Sequence, residues 1–217
     1  MKKVMLIAAV STTTIFGCSK EEIIEIQQPA PCNNNEAASH IPLSVGNYWV
    51  YDIYKTDFLG FETLFSSSDS TYIDRDTIIN GNTFYIIEGF GSTIATGKII
   101  RNENESVIYF DTSNNTEKIQ FSTNNLGTIY NTENVGNNMF QLSTWTNSTN
   151  QNITVPAGTY NCYQRETEFL PLIASYSWGT RTQFRYYNDD VGIISSQFFY
   201  ASSSDVFDMK LVRYNVN

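Results

Sequence analysis

The sequence predicts an all-β protein with a single antiparallel β domain, and two observations lead to this prediction. Short apolar runs rich in β-branched and aromatic residues recur from Ile41 to Asn217, and turn-forming segments separate them. In the same region no apolar run keeps helical spacing over a useful length. We therefore expect a curved half-barrel or a sandwich over residues 41–217, after a signal peptide (1–17) and a flexible tether (18–40).

The first residues have the order of a secretory signal. Lys2 and Lys3 form a basic start, and a short apolar stretch follows from Val4 to Gly17. A membrane-spanning helix needs roughly 20 apolar residues, and this stretch is shorter and has the flanks of a cleavable signal. We therefore interpret residues 1–17 as an export signal and not as a transmembrane helix.

The end of this leader, Ile15-Phe16-Gly17-Cys18, resembles the lipobox of bacterial lipoproteins. The resemblance implies lipid on the thiol of Cys18, cleavage before Cys18 and acylation of the freed amine. Each buried methylene contributes about 0.8 kcal/mol, and more than one chain is needed for a stable anchor. The alternative is a soluble secreted protein in which Cys18 merely lies near a conventional cleavage site.

The charged run Ser19-Lys20-Glu21-Glu22 follows directly. It resembles the export tag of surface lipoproteins in Bacteroidetes-type bacteria, and this resemblance implies exposure at the cell surface. A solvated spacer is the alternative interpretation. The rest of the segment, up to about Ser39, is rich in Pro, Gln and Asn and has no core-forming pattern, as is typical of a flexible tether.

The charge balance restricts the classes of partner. The chain has 13 Lys and Arg against 22 Asp and Glu, and loss of the leader with its two lysines leaves 11 against 22, a net charge near −11. An acidic surface repels phosphate groups, which argues against nucleic-acid binding. It equally argues against electrostatic adhesion to anionic lipid, so the acyl chains on Cys18 are the predicted membrane contact.

Cys32 and Cys162 remain after Cys18 is assigned to lipid. An exported protein can form disulfides, and a bridge between these two would stabilise the fold by about 4–5 kcal/mol on the chain-entropy model. The alternative is that Cys162 is a small buried core residue within a strand, while Cys32 is a free thiol in the tether.

Two hairpins are predicted. Asn80-Gly81 separates two apolar runs in "DTIINGNTFYII", which is the strongest short-range hairpin signal. The second hairpin pairs "YQRETEF" with "TRTQFRYY", with Phe184 and Tyr186 directed to the core. Centring on the intervening loop places Glu168 opposite Arg181, Glu166 opposite Gln183 and Gln164 opposite Arg185. We also expect Trp49, Tyr51 and Ile53 to share one face of the first strand.

Three segments carry a further resemblance: "PLSVGNYWVY" (42–51), "TVPAGTYNCY" (154–163) and "YYNDDVGIIS" (186–195). Their order resembles uncharacterised bacterial envelope proteins, some of which are thought to form a curved half-barrel similar to periplasmic lipoprotein carriers. The resemblance implies a sheet that cradles an apolar ligand. This chain shows no helix that could fill the concave side, so a flattened sheet or sandwich stays open. The three segments can equally be folding determinants alone.

The inventory of catalytic groups is small. His40 is the only histidine and stands at the end of the tether, so no Ser-His-Asp or Cys-His arrangement is assigned. One histidine and two further cysteines do not make a zinc site. Asp189 and Asp190 lack the additional oxygen ligands of a calcium loop. We therefore assign no catalytic residue, no metal site and no cofactor.

Carboxylate pairs are the one arrangement that points to catalysis. Glu166 and Glu168, like Asp74 and Asp76, stand two apart on predicted strands and share a face at roughly 7 Å. Glycosidases work with two such acids. Solvated or Arg-paired carboxylates are far commoner than catalytic ones, and 22 acids produce such pairs by chance.

These observations favour a lipid-anchored outer-membrane or cell-surface protein whose β domain binds an apolar ligand or a glycan without transforming it. A concave, aromatic-lined pocket larger than about 300 Å³ would support this hypothesis. One alternative is a glycan-degrading hydrolase that uses Glu166 and Glu168. A purely structural or adhesive surface lipoprotein is the other.

Overall fold

The computed structural model describes residues 40–89, 98–177 and 179–217. The predicted signal peptide, Cys18, Cys32 and the tether up to residue 39 lie outside the described residues. All regular structure within the described ranges is β-strand. The strands are β1 (Tyr48–Thr56), β2 (Glu62–Ile79), β3 (Asn82–Gly89), β4 (Ile99–Glu103), β5 (Ser106–Asp111), β6 (Thr116–Ser122), β7 (Asn131–Val135), β8 (Phe140–Thr146), β9 (Gln151–Val155), β10 (Gly158–Pro171), β11 (Arg181–Asn188), β12 (Gly192–Phe198) and β13 (Val206–Asn215).

The described strands form one antiparallel sheet, which confirms the predicted fold class. Most strands pair with their neighbours in sequence, because short turns join them. The longest-range pairing joins β1 to β13 and thereby links the two ends of the domain. The strand order is β6-β5-β4-β3-β2-β1-β13-β12-β11-β10-β8-β7, and β9 pairs with the first part of β10.

The sheet is nearly closed into a barrel, since its two edge strands approach each other through side chains. Lys118 of β6 forms an ion pair with Glu133 of β7 at 3.1 Å. The hydroxyl of Tyr130, just before β7, donates to the main-chain oxygen of Gln120 at 3.5 Å. These side-chain contacts join the two edge strands where no main-chain pairing between β6 and β7 is present in the sheet order.

Side chains fill the interior of the sheet. Trp49, Tyr51 and Ile53 are all buried on one face of β1, as the alternation in the sequence predicts. The indole of Trp49 donates to the oxygen of Val191 at 2.6 Å, and the hydroxyl of Tyr51 donates to that of Ile193 at 2.9 Å. Aromatic and aliphatic side chains therefore occupy the space that a helix or a ligand would need. The fully buried apolar side chains include Val107, Phe121, Tyr187, Ile194 and Leu211.

The hairpin predicted at Asn80-Gly81 is confirmed. Ile79 pairs with Asn82, so β2 and β3 are joined by a two-residue turn. Both turn residues have positive φ, 53° at Asn80 and 82° at Gly81. Two consecutive positive φ angles define the type I′ turn, whose twist matches that of the flanking strands.

The register predicted for the second hairpin is wrong by one residue. Glu168 pairs with Thr182 and Glu166 with Phe184, not with Arg181 and Gln183. Likewise, Gln164 pairs with Tyr186, not with Arg185. A shift by one residue exchanges the two faces of a strand, so Arg185 and Tyr187 are buried while Phe184 and Tyr186 are only half-buried on the other face.

Packing of Tyr187 explains this register. Its ring stacks on that of Phe121 with 4.0 Å between the centroids, which requires Tyr187 and every second residue of β11 to face the core. Arg185 shares that face and donates from Nε to the hydroxyl of Ser196 at 2.9 Å. The favourable stacking of buried aromatic rings thus outweighs the charge pairing on which the predicted register was based.

No helix in the described ranges combines the length and the apolar character needed to cross a bilayer.

Candidate functional site

An open groove lies on strands β2 to β5, with a volume of about 430 Å³. This volume exceeds the roughly 300 Å³ at which ligand pockets begin. Apolar and charged side chains both contribute to its walls. The lining residues are Arg75, Ile86, Glu88, Lys98, Ile99, Tyr109, Phe110, Asp111 and Thr112.

The floor of the groove is apolar because of the strand register. Arg75 of β2 pairs with Ile86 of β3, and Ile86 pairs with Ile99 of β4. Phe110 of β5 follows Tyr109, the partner of Ile100, and so lies on the face of Ile99. Ile86, Ile99 and Phe110 are each half-buried, which leaves part of every side chain available for contact.

Charged side chains surround this floor in pairs. Lys98 Nζ lies 3.5 Å from Glu88 Oε2 on the neighbouring strand. Arg75 forms an ion pair with Asp74. Asp111 Oδ2 lies 3.0 Å from Lys118 Nζ. The rim therefore offers hydrogen-bond donors and acceptors in compensated pairs, with no single sign of charge dominating.

Hydrogen bonds keep Asp111 ionised. The side-chain amide of Asn114 donates to Asp111 at 2.8 Å, and together with the bond from Lys118 it lowers the pKa of Asp111 to about 2. The bond to Asp111 in turn raises the pKa of Lys118. Asp111 is thus a permanent acceptor at neutral pH, and it cannot serve as a general acid, which requires a raised pKa.

Tyr109 also lines the groove, although its side chain lies on the opposite face of β5 from Phe110 and packs against the buried core. Burial is the main cause that raises the pKa of its hydroxyl, so the group stays protonated at neutral pH and can both donate and accept. The ammonium of Lys118 lies 5.9 Å from the centre of the Tyr109 ring, which is within cation–π range. The groove therefore combines an apolar floor with charged side chains at its rim.

The predicted carboxylate pair lies outside this groove. Glu166 and Glu168 are half-exposed on β10, on the face opposite the buried Thr167. The side-chain amide of Asn147 donates to Glu166. Neither glutamate therefore lines the groove on strands β2 to β5.

Cys162 is a free thiol in β10 with a fully buried side chain. Its sulfur lies 3.5 Å from the main-chain oxygen of Tyr160, and burial raises its pKa to about 12. These properties are those of a small buried core residue, the alternative that the sequence leaves open. Its suggested disulfide partner, Cys32, lies outside the described residues, as does Cys18.

His40 is the residue whose surroundings differ most from the sequence interpretation. The sequence places His40 at the end of the tether, but in the structure its side chain is only 1% exposed. Nδ1 lies 2.7 Å from the carboxylate of Asp189, and Nε2 lies 3.2 Å from the hydroxyl of Thr123. Its ring also packs edge-on against Phe121, 4.8 Å away.

Asp189, His40 and Thr123 follow the order of a catalytic triad. In such a triad a carboxylate orients an imidazole base, and the base activates a hydroxyl nucleophile. Here the imidazole is enclosed, and the Thr123 hydroxyl also lies 3.4 Å from the main-chain oxygen of Glu105. The contacts join the start of the domain, the end of β6 and the turn between β11 and β12. We assign this cluster a structural role at one end of the sheet.

The groove residues were missed by sequence reasoning, although a signal for them exists. "FYII" in β3 and "VIYF" in β5 are apolar at consecutive positions, so both faces of these strands carry apolar side chains. Only one face can pack against the core, and the other must be covered or exposed. Which residues meet there depends on the register between strands, which the sequence alone does not specify.

Among the residues 40–89, 98–177 and 179–217, no group of three or more His, Cys, Asp or Glu side chains could hold a metal ion.

Comparisons with known proteins give two solved structures of similar fold. One is a candidate lipoprotein from Parabacteroides distasonis, with a TM-score of 0.45 and 14% identity over 83% of this chain and 100% of that chain. Another is a candidate exported protein with a YmcC-like fold from Bacteroides fragilis, with a TM-score of 0.43 and 14% identity over 82% and 99%. No protein-family model and no curated protein matches the sequence. Likeness at this level carries no argument about function.

Proposed function

We propose that this chain is a lipid-anchored protein of the cell envelope whose groove on β2 to β5 binds a glycan without transforming it. The observation that carries the proposal is that one open groove has an apolar floor and a rim of charged side chains, each of which forms an ion pair. The lipobox-like leader supports the envelope location, with Cys18 as the site of acylation.

The groove fits a glycan better than it fits an apolar ligand. A sugar ring has an apolar face that can stack on an aromatic side chain, while its hydroxyls need donors and acceptors at the edge. Phe110 and the two isoleucines can supply the first, and Glu88 and Lys98 can supply the second. An apolar ligand would instead leave the charged rim desolvated and without new partners.

The interior of the sheet does not compete with the groove as a site for an apolar ligand. Its core side chains are fully buried and packed against each other. A carrier-like cradle, as the family resemblance implies, would need this space to be empty. The filled interior therefore supports binding on the outer surface of the sheet.

Binding is favoured over hydrolysis by the state of the carboxylates in the groove. Glu88 is paired with Lys98, and Asp111 is held ionised by Asn114 and Lys118. A glycosidase needs one carboxylic acid that stays protonated at working pH. Asp111, which is held ionised, does not supply such an acid.

Isothermal titration calorimetry with a panel of neutral gluco-, manno-, xylo- and N-acetylglucosamine oligosaccharides tests this proposal. We expect at least one of them to bind the mature protein, and Phe110→Ala to weaken that binding about tenfold through loss of ring stacking. Phe61→Ala is the matched control, because Phe61 is an exposed phenylalanine that does not line the groove.

A second variant separates binding from folding, since Phe110 also packs against the buried Phe84. Thr112→Trp places a bulky ring in the groove at an exposed position and removes no core contact. It should abolish binding with no change in thermal stability. Unchanged affinity in both groove variants, or heat only from an apolar probe such as anilinonaphthalene sulfonate, would contradict glycan binding.

A further inference from the structure

The turn between β1 and β2 exposes three large apolar side chains at the tip of a hairpin. Phe58 is 77% exposed, Leu59 is 66% exposed and Phe61 is 67% exposed. Single exposed apolar residues are common on soluble proteins. Three exposed apolar residues within four positions at one hairpin tip form a patch, and such patches mark interaction sites.

The tip is a built turn. Asp57 accepts hydrogen bonds from the main-chain amides of Leu59 at 2.9 Å and Phe61 at 3.0 Å. Gly60 supplies the positive φ of 86° that the turn requires, and its amide donates to the oxygen of Asp57. All of these contacts use the main chain, Asp57 or Gly60. The three apolar side chains therefore contribute nothing to the turn and are held outward by it.

The exposed apolar surface continues from the tip along β2 towards the loop between β12 and β13. Phe65 is 57% exposed and packs edge-on against Phe207 at 5.1 Å. Tyr200 is 55% exposed and packs against the same Phe207 ring at 5.4 Å. Phe207 thus supports two exposed aromatic residues, and we refer to these residues together with the tip as the apolar end of the sheet.

The charges next to this apolar end are neutralised locally. Lys55 pairs with Asp205 at 2.7 Å, and Lys210 pairs with Glu62 at 2.7 Å. The carboxylate of Asp57 is used in the turn. Asp57 keeps its negative charge, so these five groups carry a slight excess of negative charge, which disfavours an anionic surface and is compatible with a zwitterionic one.

From these observations we propose that Phe58, Leu59 and Phe61 insert into the interface of a zwitterionic lipid bilayer. A protruding tip with apolar side chains fits between lipid head groups, whereas protein–protein interfaces are broad surfaces of about 800 Å² on each partner. Insertion of apolar side chains to about 5–10 Å gives reversible membrane contact. The tip would hold the domain at the membrane in a second way, besides the acyl chains.

Chain length permits both contacts with one bilayer. β1 has nine residues and spans about 30 Å from its start to the tip. Residues 18–39 could reach at most about 75 Å if fully extended, which exceeds the length of the strand. This step rests on lipidation at Cys18, so the mass of the purified protein verifies the lipid before insertion of the tip is measured.

The test places an environment-sensitive nitrobenzoxadiazole label on Leu59→Cys in the purified lipidated protein. The protein carries Cys32→Ser, and its buried Cys162 does not react. It is reconstituted into vesicles of phosphatidylcholine and phosphatidylethanolamine. We expect blue-shifted emission and about twofold quenching by doxyl-labelled lipid, as for a group within the interface. The same label on Thr83→Cys, at an exposed position beside the β2–β3 turn, should stay in water.

A double variant, Phe58→Ser with Phe61→Ser, retains the label at position 59 and should lose both signals. Its thermal unfolding should match that of the parent, because both side chains are exposed. Equal, water-like emission at positions 59 and 83 would overturn the proposal. Protection of position 59 from aqueous iodide without quenching by doxyl lipid would overturn it too, since a second protein molecule would then cover the tip.

Discussion

Cys162 shows how burial of one residue connects to the stability of the whole domain. Its thiol is fully buried in β10, and burial raises its pKa from 9.0 to about 12. Below pH 9 the thiol is protonated in both the folded and the unfolded chain. Between pH 9 and pH 12 only the unfolded chain releases this proton, so the free energy of unfolding decreases as the pH rises.

We predict that this thiol makes the domain sensitive to alkali. Between pH 8 and pH 10 the wild-type free energy of unfolding should fall by about 1.4 kcal/mol more than that of Cys162→Ala, because one proton is linked to unfolding. Urea denaturation at several pH values measures both proteins, and buried tyrosines contribute equally to each. Parallel stability curves across this range would mean that the thiol ionises freely in the folded protein.

His40 illustrates what sequence reasoning misses at this scale. Its place after a polar segment suggests a tether, and nothing near it in sequence indicates a partner. Asp189, its hydrogen-bond partner, is 149 residues away along the chain. A contact of this separation exists only once the sheet has formed, so the local pattern cannot reveal it. Trp49, by contrast, follows the alternation of its own strand and was placed correctly.

Single turns decide how well individual elements can be predicted. The β2–β3 hairpin follows from Asn80-Gly81 because a two-residue turn leaves one register open. Residues 172–180 separate β10 from β11, and a connection of this length leaves the register to the packing of the side chains. The stacking of Tyr187 on Phe121 then selects it.

Gly89 is the glycine on which strand pairing depends most directly. It has a φ of 99°, and a Cβ built on it would lie 2.1 Å from the main-chain oxygen of Ser70. That oxygen belongs to β2, the neighbouring strand in the sheet, so it cannot move aside without distortion of the pairing. Only a residue without a side chain fits at this point.

We therefore predict that Gly89→Ala destabilises the domain by about 3 kcal/mol or more, through steric overlap added to backbone strain. Gly127→Ala is the matched control. It also has positive φ, 77°, but no atom lies within 4 Å of the added Cβ, so it should cost only about 1–2 kcal/mol. Urea denaturation of both variants provides the comparison. Similar losses in the two would show that β2 and β3 are not in close contact at Gly89.

At the scale of the whole molecule, the sequence predicts the class of fold but not its closure. Alternating apolar residues and turn signals are local, and they indicate antiparallel strands correctly. The pairing of β1 with β13 and the approach of β6 to β7 join distant parts of the chain. The groove depends on four strands in a defined register, so it too could not be located in advance.

The proposed location of the molecule depends on a residue outside the described ranges. We predict that an alkyne-bearing palmitate analogue labels the protein in bacterial cells, and that Cys18→Ser abolishes the label because no acceptor thiol remains. Cys32→Ser should keep the label, which controls for general loss of a cysteine. Label retained on Cys18→Ser would refute lipidation at this position.

The central claim is that the groove on β2 to β5 is a glycan-binding surface. The most direct measurement is a titration of the isotopically labelled mature protein with the best-binding oligosaccharide, followed by amide nitrogen–proton correlation spectra. The proposal predicts that shifts concentrate at Ile86, Ile99, Tyr109 and Phe110 and saturate with one affinity. Shifts centred on Glu166 and Glu168, or no shift at any oligosaccharide concentration, would contradict it.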